Sequence, residues 1–165
     1  MNLKDFIAEV SDFPKPGILY RDMSPLLSHS EAFEKTLDAF ADILPLHEAE
    51  LIVGVEMRGV IFASALAARF KKGFLALRKA GKTPPPVLKK SYQLEYGSAE
   101  IEIKAGQSKV ILLDDVLATG GTLKASIELL TEAGYDLRGV AVLINLTQLN
   151  TLQWKGKPIS SLMQF

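Results

Sequence analysis

Cysteine is missing from all 165 residues, which removes disulfides, thiolate nucleophiles and thiolate metal ligands. Histidine is scarce. His29 and His47 stand apart, with no partner ligands at metal-binding spacing, and both read as surface residues. Neither sign of charge is in excess: 19 Lys and Arg meet 19 Asp and Glu. A net charge of zero gives no global pull toward nucleic acid or a membrane surface, so any phosphate must be held locally. No apolar run approaches the ~20 residues that span a bilayer. The N-terminus, MNLKDFI, alternates charged with apolar residues and lacks the long apolar core of a signal peptide. A cytoplasmic location is expected. Three common catalytic signatures are absent as well: the G-x-x-x-x-G-K-[ST] phosphate loop, a G-x-G-x-x-G after a strand, and a G-x-S-x-G nucleophile elbow.

What is present describes a globular chain, 48% hydrophobic. A single domain over 1–165 is expected, long enough to bury about two-thirds of its unfolded surface. Leu3, Phe6, Ile7 and Val10 have helical spacing and predict a short N-terminal amphipathic helix. Pro14 and Pro16 force an extended, turning segment that leads into residues 18–22. A second helix is expected with Ser30 as its N-cap; Phe33, Leu37, Phe40 and Leu44 line one face, and Pro45 stops it. Residues 51–55 read as a buried strand that breaks at 54–59 and continues as a helix to about Phe70. Short strands are expected at 74–77, 109–113 and 138–146. The last two are separated by a helix with Leu123, Ile127 and Leu130 on one stripe and Gly134 past its end. This alternation predicts an α/β fold, a mostly parallel sheet with helices on both faces.

The run VILLDDVLATGGT at 110–122 is the most informative. A branched apolar strand ends in two adjacent carboxylates, Asp114 and Asp115, then a small Gly/Thr turn opens a helix. Ala118, Thr119, Gly120, Gly121 and Thr122 are small enough for successive backbone N–H groups to converge on one anion. The two threonine hydroxyls add donors, and the following helix supplies a favourable dipole. In open α/β sheets, ligands collect at this carboxyl edge. Phosphate-cradling backbone beside two acids, with no cation in the turn, suits a phosphorylated sugar with free hydroxyls.

Residues 78–104 break the strand–helix rhythm. They open with basic residues, pass through Pro84, Pro85 and Pro86, then alternate over 92–96 and 100–103 around a turn signal at Gly97 and Ser98. An inserted β-hairpin, flexible over about 79–104, is expected; excursions of this length tend to be lids. From 69 to 90 the chain carries cations and no acid, which reads either as a solvated surface or as cations facing an anionic ligand.

The 110–122 run resembles the phosphoribosyl-diphosphate (PRPP) motif of the type I phosphoribosyltransferases. DFPKPGILYRD at 12–22, GVEMRG at 54–59 and YQLEYG at 92–97 resemble the adenine-using members of that family, in the family's order. The resemblance covers nearly the whole chain. It implies the type I phosphoribosyltransferase fold with an inserted mobile hairpin. The implied reaction is purine salvage, in which adenine and PRPP give AMP and diphosphate.

Site roles come with the resemblance. Asp114 and Asp115 would hold the ribose 2′- and 3′-hydroxyls, and residues 118–122 would wrap the 5′-phosphate. Glu56, Met57, Arg58 and Gly59 match the diphosphate loop, with Arg58 as the clamp and Lys79 and Lys82 as helpers. Leu19, Tyr20 and Arg21 would read adenine, Tyr20 by stacking and the backbone by pairing with the amino edge; Leu143 would cover the other face. Glu95 would manage the purine proton, and Tyr96 would close over the diphosphate. Mg²⁺ would be bound mainly through PRPP, so few protein ligands are expected. A homodimer is implied, with no nucleic-acid or membrane partner.

Rival readings are weaker. A xanthine or hypoxanthine/guanine transferase needs a donor for the 6-oxo group, often a lysine late in the chain, and the 140–146 strand has none. A PRPP-sensing regulator usually adds a DNA-binding domain, and there is no spare length for one. An RNA-binding relative would want a basic face, which balanced charge disfavours.

Overall fold

A computed structural model describes residues 1–94 and 97–165 and divides the chain into two compact units, Met1–Asp42 and Ile43–Phe165. In the first unit a 3₁₀ turn, Leu3–Phe6, precedes strand β1 (Ala8–Ser11). Strand β2 (Leu19–Asp22) pairs with it antiparallel, Val10 opposite Tyr20 and Glu9 opposite Arg21. Helix α1 (Ser24–Ser28) is short, and α2 (Ser30–Ile43) runs to the unit's end.

Two sequence-based expectations need correction here. The N-terminal amphipathic helix is one turn only, and β-branched Val10 lies in β1. A single turn of apolar spacing cannot distinguish the two outcomes, and here the extended chain finds a ladder partner in β2. Ser30 is the first residue of α2 rather than its cap. The capping bond comes from His29, whose Nδ1 accepts from the Ala32 N–H at 3.3 Å.

The second unit begins with β3 (Leu51–Val55), α3 (Arg58–Arg69) and β4 (Gly73–Lys79). The hairpin strands follow as β5 (Leu88–Leu94) and β6 (Gly97–Ile103). Then come β7 (Lys109–Leu117), α4 (Gly121–Glu132) and β8 (Asp136–Asn145). A two-residue-per-strand ribbon, β9 (Gln153–Trp154) and β10 (Lys157–Pro158), leads to β11 (Ser160–Gln164).

Among the described residues, seven strands form one sheet in the order β11-β8-β7-β3-β4-β6-β5. The five from β11 to β4 are parallel; β6 and β5 add antiparallel. Val53, Val110, Leu112, Val140 and Val142 on one face share a core with Leu123, Leu129 and Leu130 of α4. The other face receives α3, packed on β3 and β7. Strands so covered must be apolar on both sides, which is why β7 and β8 read as continuous branched runs.

Three strand boundaries differ from the sequence reading. β7 does not end at Leu113 but carries both aspartates inside the strand, because β8 pairs with it as far as Leu117. Gly97 and Ser98 are not the hairpin turn; they lie in β6, opposite Leu94 and Gln93. β11 was not anticipated at all. Its two serines and five-residue length hide an edge strand that only β8 completes.

Candidate active site

The sheet order fixes where a ligand can sit. From β3 the chain crosses through α3 to β4 on one side; from β7 it crosses through α4 to β8 on the other. Neighbouring strands whose connections diverge leave a crevice at their carboxyl ends, the switch point of an open α/β sheet. There the chain leaves β3 through Glu56 and Met57 and enters α3 at Arg58, and the last four residues of β7 include Asp114 and Asp115, ahead of the loop to α4.

Both aspartates are nearly buried, 7% and 8% exposed. The Asp115 N–H donates to Asp114 Oδ1 at 2.8 Å. Burial and the adjacent charge of Asp115 push the Asp114 carboxyl well above its ordinary value, against a smaller opposing pull from Arg58. Arg58 Nε stands 2.6 Å from Asp115 Oδ2. That contact joins opposite charges without the alignment of a hydrogen bond. Gly59 makes the approach feasible: a Cβ there would lie 2.7 Å from the Leu113 carbonyl oxygen and 3.0 Å from Asp114 Oδ1. Only glycine lets the start of α3 lie directly on the aspartates.

Gly120, at φ 93°, turns the chain into α4. By helix geometry, the N–H groups at this first turn lack intrahelical acceptors and point outward with the dipole. Residues 116–123 alone enclose a cavity of about 70 Å³ at this point, and a wider one of about 380 Å³ opens beside it. Two residues escaped the sequence reading. Lys124, in the first turn of α4, lines the wider cavity and supplies a cation near the loop. Asn150 donates through Nδ2 to the Ala118 carbonyl at 2.9 Å, fixing the loop from a segment 32 residues later. An asparagine in an irregular stretch carries no sequence signal for that contact.

The 56–59 loop is the one that the resemblance gives to diphosphate. The Glu56–Met57 peptide is cis, and Met57 is 69% exposed. Glu56 Oε2 accepts from the Lys79 N–H at 2.9 Å and stands 3.8 Å from Arg78 Nε. The acid thus joins the ends of β3 and β4 and brings Lys79 beside the Arg58 loop. Lys82, exposed, follows in the turn after β4.

The hairpin leans on α4. Lys90 Nζ lies 3.0 Å from Glu128 and 2.5 Å from Glu132. Gln93 presses its carbonyl onto Gly121, where a Cβ would be 3.1 Å away. The proposed proton-managing Glu95 and diphosphate-closing Tyr96 lie outside the described residues. Leu143 is fully buried within β8. In the first unit, Leu19 is 44% exposed, Tyr20 meets Phe13 edge-on at 5.1 Å, and Arg21 pairs with Glu9.

A parallel sheet with paired acids and an amide-lined helix start at its switch point defines an α/β domain for a phosphorylated sugar. In agreement, the model of the phosphoribosyl transferase domain matches residues 28–155. The adenine phosphoribosyltransferase of Bdellovibrio bacteriovorus is 51% identical over the full length of both chains. Among solved structures, the Rhodothermus marinus adenine phosphoribosyltransferase gives a TM-score of 0.86 at 39% identity, covering 99% of this chain and 96% of that one. The Saccharomyces cerevisiae enzyme, solved with D-2,5-dideoxy-2,5-imino-altritol 1,6-bisphosphate and adenine, gives 0.86 at 34%, covering 97% and 96%. The chain belongs to the adenine phosphoribosyltransferase family.

Proposed function

We infer that this chain transfers the 5-phosphoribosyl group of PRPP to adenine, giving AMP and diphosphate. One observation carries the reading: two adjacent buried acids in β7 precede an amide-lined helix start, in a chain that matches an adenine phosphoribosyltransferase over its full length.

In the reaction the C1′–oxygen bond to diphosphate breaks, a C1′–N9 bond forms, and N9 gives up its proton. Positive charge gathers on the ribose during that exchange. Acceptor oxygens fixed beside the sugar are worth most against such charge, and Asp114 and Asp115 are the candidates to accept from the ribose hydroxyls. The loop 118–122 is assigned to the 5′-phosphate. Arg58, Lys79 and Lys82 are assigned to the departing diphosphate, whose negative charge grows as the bond breaks. Leu19, Tyr20, Arg21 and Leu143 are assigned to adenine, Glu95 to the N9 proton and Tyr96 to the diphosphate side.

Oxygen donors at the sugar end, with cations at the diphosphate end, fit a Mg²⁺ ion carried mainly by the substrate. When bound, it neutralises diphosphate charge. We assign the whole chain to one catalytic domain, acting in the cytoplasm as a homodimer. Phe70 and Phe74, 36% and 41% exposed, offer apolar surface for a second copy.

A steady-state comparison of adenine, hypoxanthine, guanine and xanthine with PRPP tests the reading. A site built to pair with an amino edge rejects a 6-oxo purine by about 10⁴–10⁵. Comparable turnover of hypoxanthine and adenine would overturn the base assignment.

A further inference from the structure

Glu102 lies in β6, and its side chain is 1% exposed. Its register neighbours are Arg78 on β4 and Lys89 on β5, yet its oxygens go elsewhere. Oε2 accepts from the Gly81 N–H at 2.9 Å, while Oε1 accepts from Lys82 at 2.8 Å and Thr83 at 2.6 Å. Three successive amides converging on one anion form the concavity usually offered to a bound phosphate or carboxylate. Here the anion belongs to the chain. The amides hold the carboxyl below the usual carboxylate range, led by Gly81, so Glu102 is ionised at neutral pH.

The turn is held from other directions too. Arg78 donates to the Lys82 carbonyl at 2.5 Å, and the Ala80 N–H donates to the Glu100 carbonyl at 3.0 Å. Lys79, at the head of the turn, is fixed through its own N–H by Glu56. Glu56 in turn donates its N–H to the Leu77 carbonyl, at the mouth of the Arg58 loop. Two carboxylates therefore set the backbone of two lysines at the same end of the sheet.

We propose that Glu102 is a positioning residue for diphosphate: it fixes the 81–83 turn so that Lys82, with Lys79, faces the leaving group. The proposal rests on the assignment of these lysines to diphosphate. Glu102 itself touches no substrate. A glutamine would turn an N–H₂ toward amides that need an acceptor, releasing the turn without changing the side chain's volume.

The test measures binding of inorganic pyrophosphate with Mg²⁺, and separately of AMP, to wild type, Glu102→Gln and Lys82→Ala. Glu102→Gln is expected to weaken pyrophosphate at least tenfold and to leave AMP within twofold. In turnover the loss should fall on KM for PRPP rather than KM for adenine. If Lys82→Ala weakens pyrophosphate and Glu102→Gln does not, the positioning role is overturned. If Lys82→Ala itself has no effect, the diphosphate assignment fails first. Equal losses for pyrophosphate and AMP would reduce Glu102 to a support of the fold. Should Glu102→Gln not fold, the wild type decides: slow hydrogen exchange at Gly81, Lys82 and Thr83 without ligand supports the clamp, and unprotected exchange there overturns it.

Discussion

Arg58 and Asp115 are ion partners: the Nε of one stands 2.6 Å from the Oδ2 of the other. These residues are assigned to opposite ends of PRPP, the cation to its diphosphate and the acid to its ribose. They neutralise each other at the switch point, where an uncompensated charge would be costly. On that assignment PRPP would offer a diphosphate to the cation and hydroxyls to the acid, replacing one pairing by two.

Arg58→Ala should lower kcat/KM for PRPP by tenfold to a hundredfold, about 1.5–3 kcal/mol, the usual worth of a hydrogen bond to a charged group. The loss should appear in KM for PRPP and leave KM for adenine nearly unchanged. Arg58→Lys should recover only part of it, since a lysine lacks the planar fork that meets two phosphate oxygens. Equal rises in both KM values would place Arg58 outside the diphosphate subsite.

The two aspartates should respond in opposite ways to neutralisation. Burial and the charge of Asp115 raise the Asp114 carboxyl well above its ordinary 3.8. The folded chain therefore keeps a proton that the unfolded chain has lost. Asp114's contribution to stability is fully present below that ordinary value and declines as pH rises toward its folded value. Asparagine does not titrate. Relative to wild type, Asp114→Asn should gain stability as pH is raised from about 4, while losing tenfold to a hundredfold in PRPP turnover. Asp115→Asn should lose turnover and stability together, because it removes the charge that Arg58 Nε faces at 2.6 Å. Melting curves across that pH range decide, and a pH-independent offset for Asp114→Asn would contradict the argument.

The switch-point chemistry was legible because strand, acids, small turn and helix occur within thirteen consecutive residues, 110–122, and local order implies geometry there. Gly59 was legible as part of a motif, but its reason is the Leu113 carbonyl, which belongs to a different strand. Glu102 was misleading. The alternation of Glu100, Ile101, Glu102 and Ile103 implies one polar face, yet the turn at 81–83 covers Glu102 while Glu100 stays near the surface. Periodicity reports which way a side chain points, not what later folds over it. Asn150 and β11 were invisible for the same reason: their partners are distant in sequence.

Asn150 gives a direct test of the phosphate loop. Its Nδ2 holds the Ala118 carbonyl and also lies 3.1 Å from the Leu146 carbonyl. Asn150→Ala removes donors worth about 1 kcal/mol each. AMP affinity should fall roughly fivefold to tenfold, the equivalent of about 1–1.4 kcal/mol. Asn150→Asp should be worse than alanine, since a carboxylate oxygen would then face the Ala118 carbonyl. Calorimetric titration with AMP separates these outcomes, and unchanged affinity in both variants would detach Asn150 from the loop.

The hairpin must admit PRPP and release AMP, yet a cationic sugar has to be shielded from water while it reacts. Part of its hold on α4 is apolar, through the core that Ile101, Ile103, Leu88 and Tyr92 share with Leu123 and Leu129; the rest is ionic, through Lys90 to Glu132 and Glu128, and both acids raise the lysine's pKa, Glu132 most. An exposed ionic latch of this kind is readily opened and is weakened by salt. Lys90→Ala should therefore speed amide hydrogen exchange along β5 in the free protein, and added salt should do the same to wild type. Saturating AMP should slow exchange in β5 of both proteins to similar rates, because the ligand then adds contacts that replace those of the latch. The turn at 81–83, clamped by Glu102, should not change in any of these conditions. If exchange in β5 is slow in the free wild type and indifferent to AMP, salt and Lys90→Ala alike, the hairpin is a fixed part of the sheet and the site must open elsewhere.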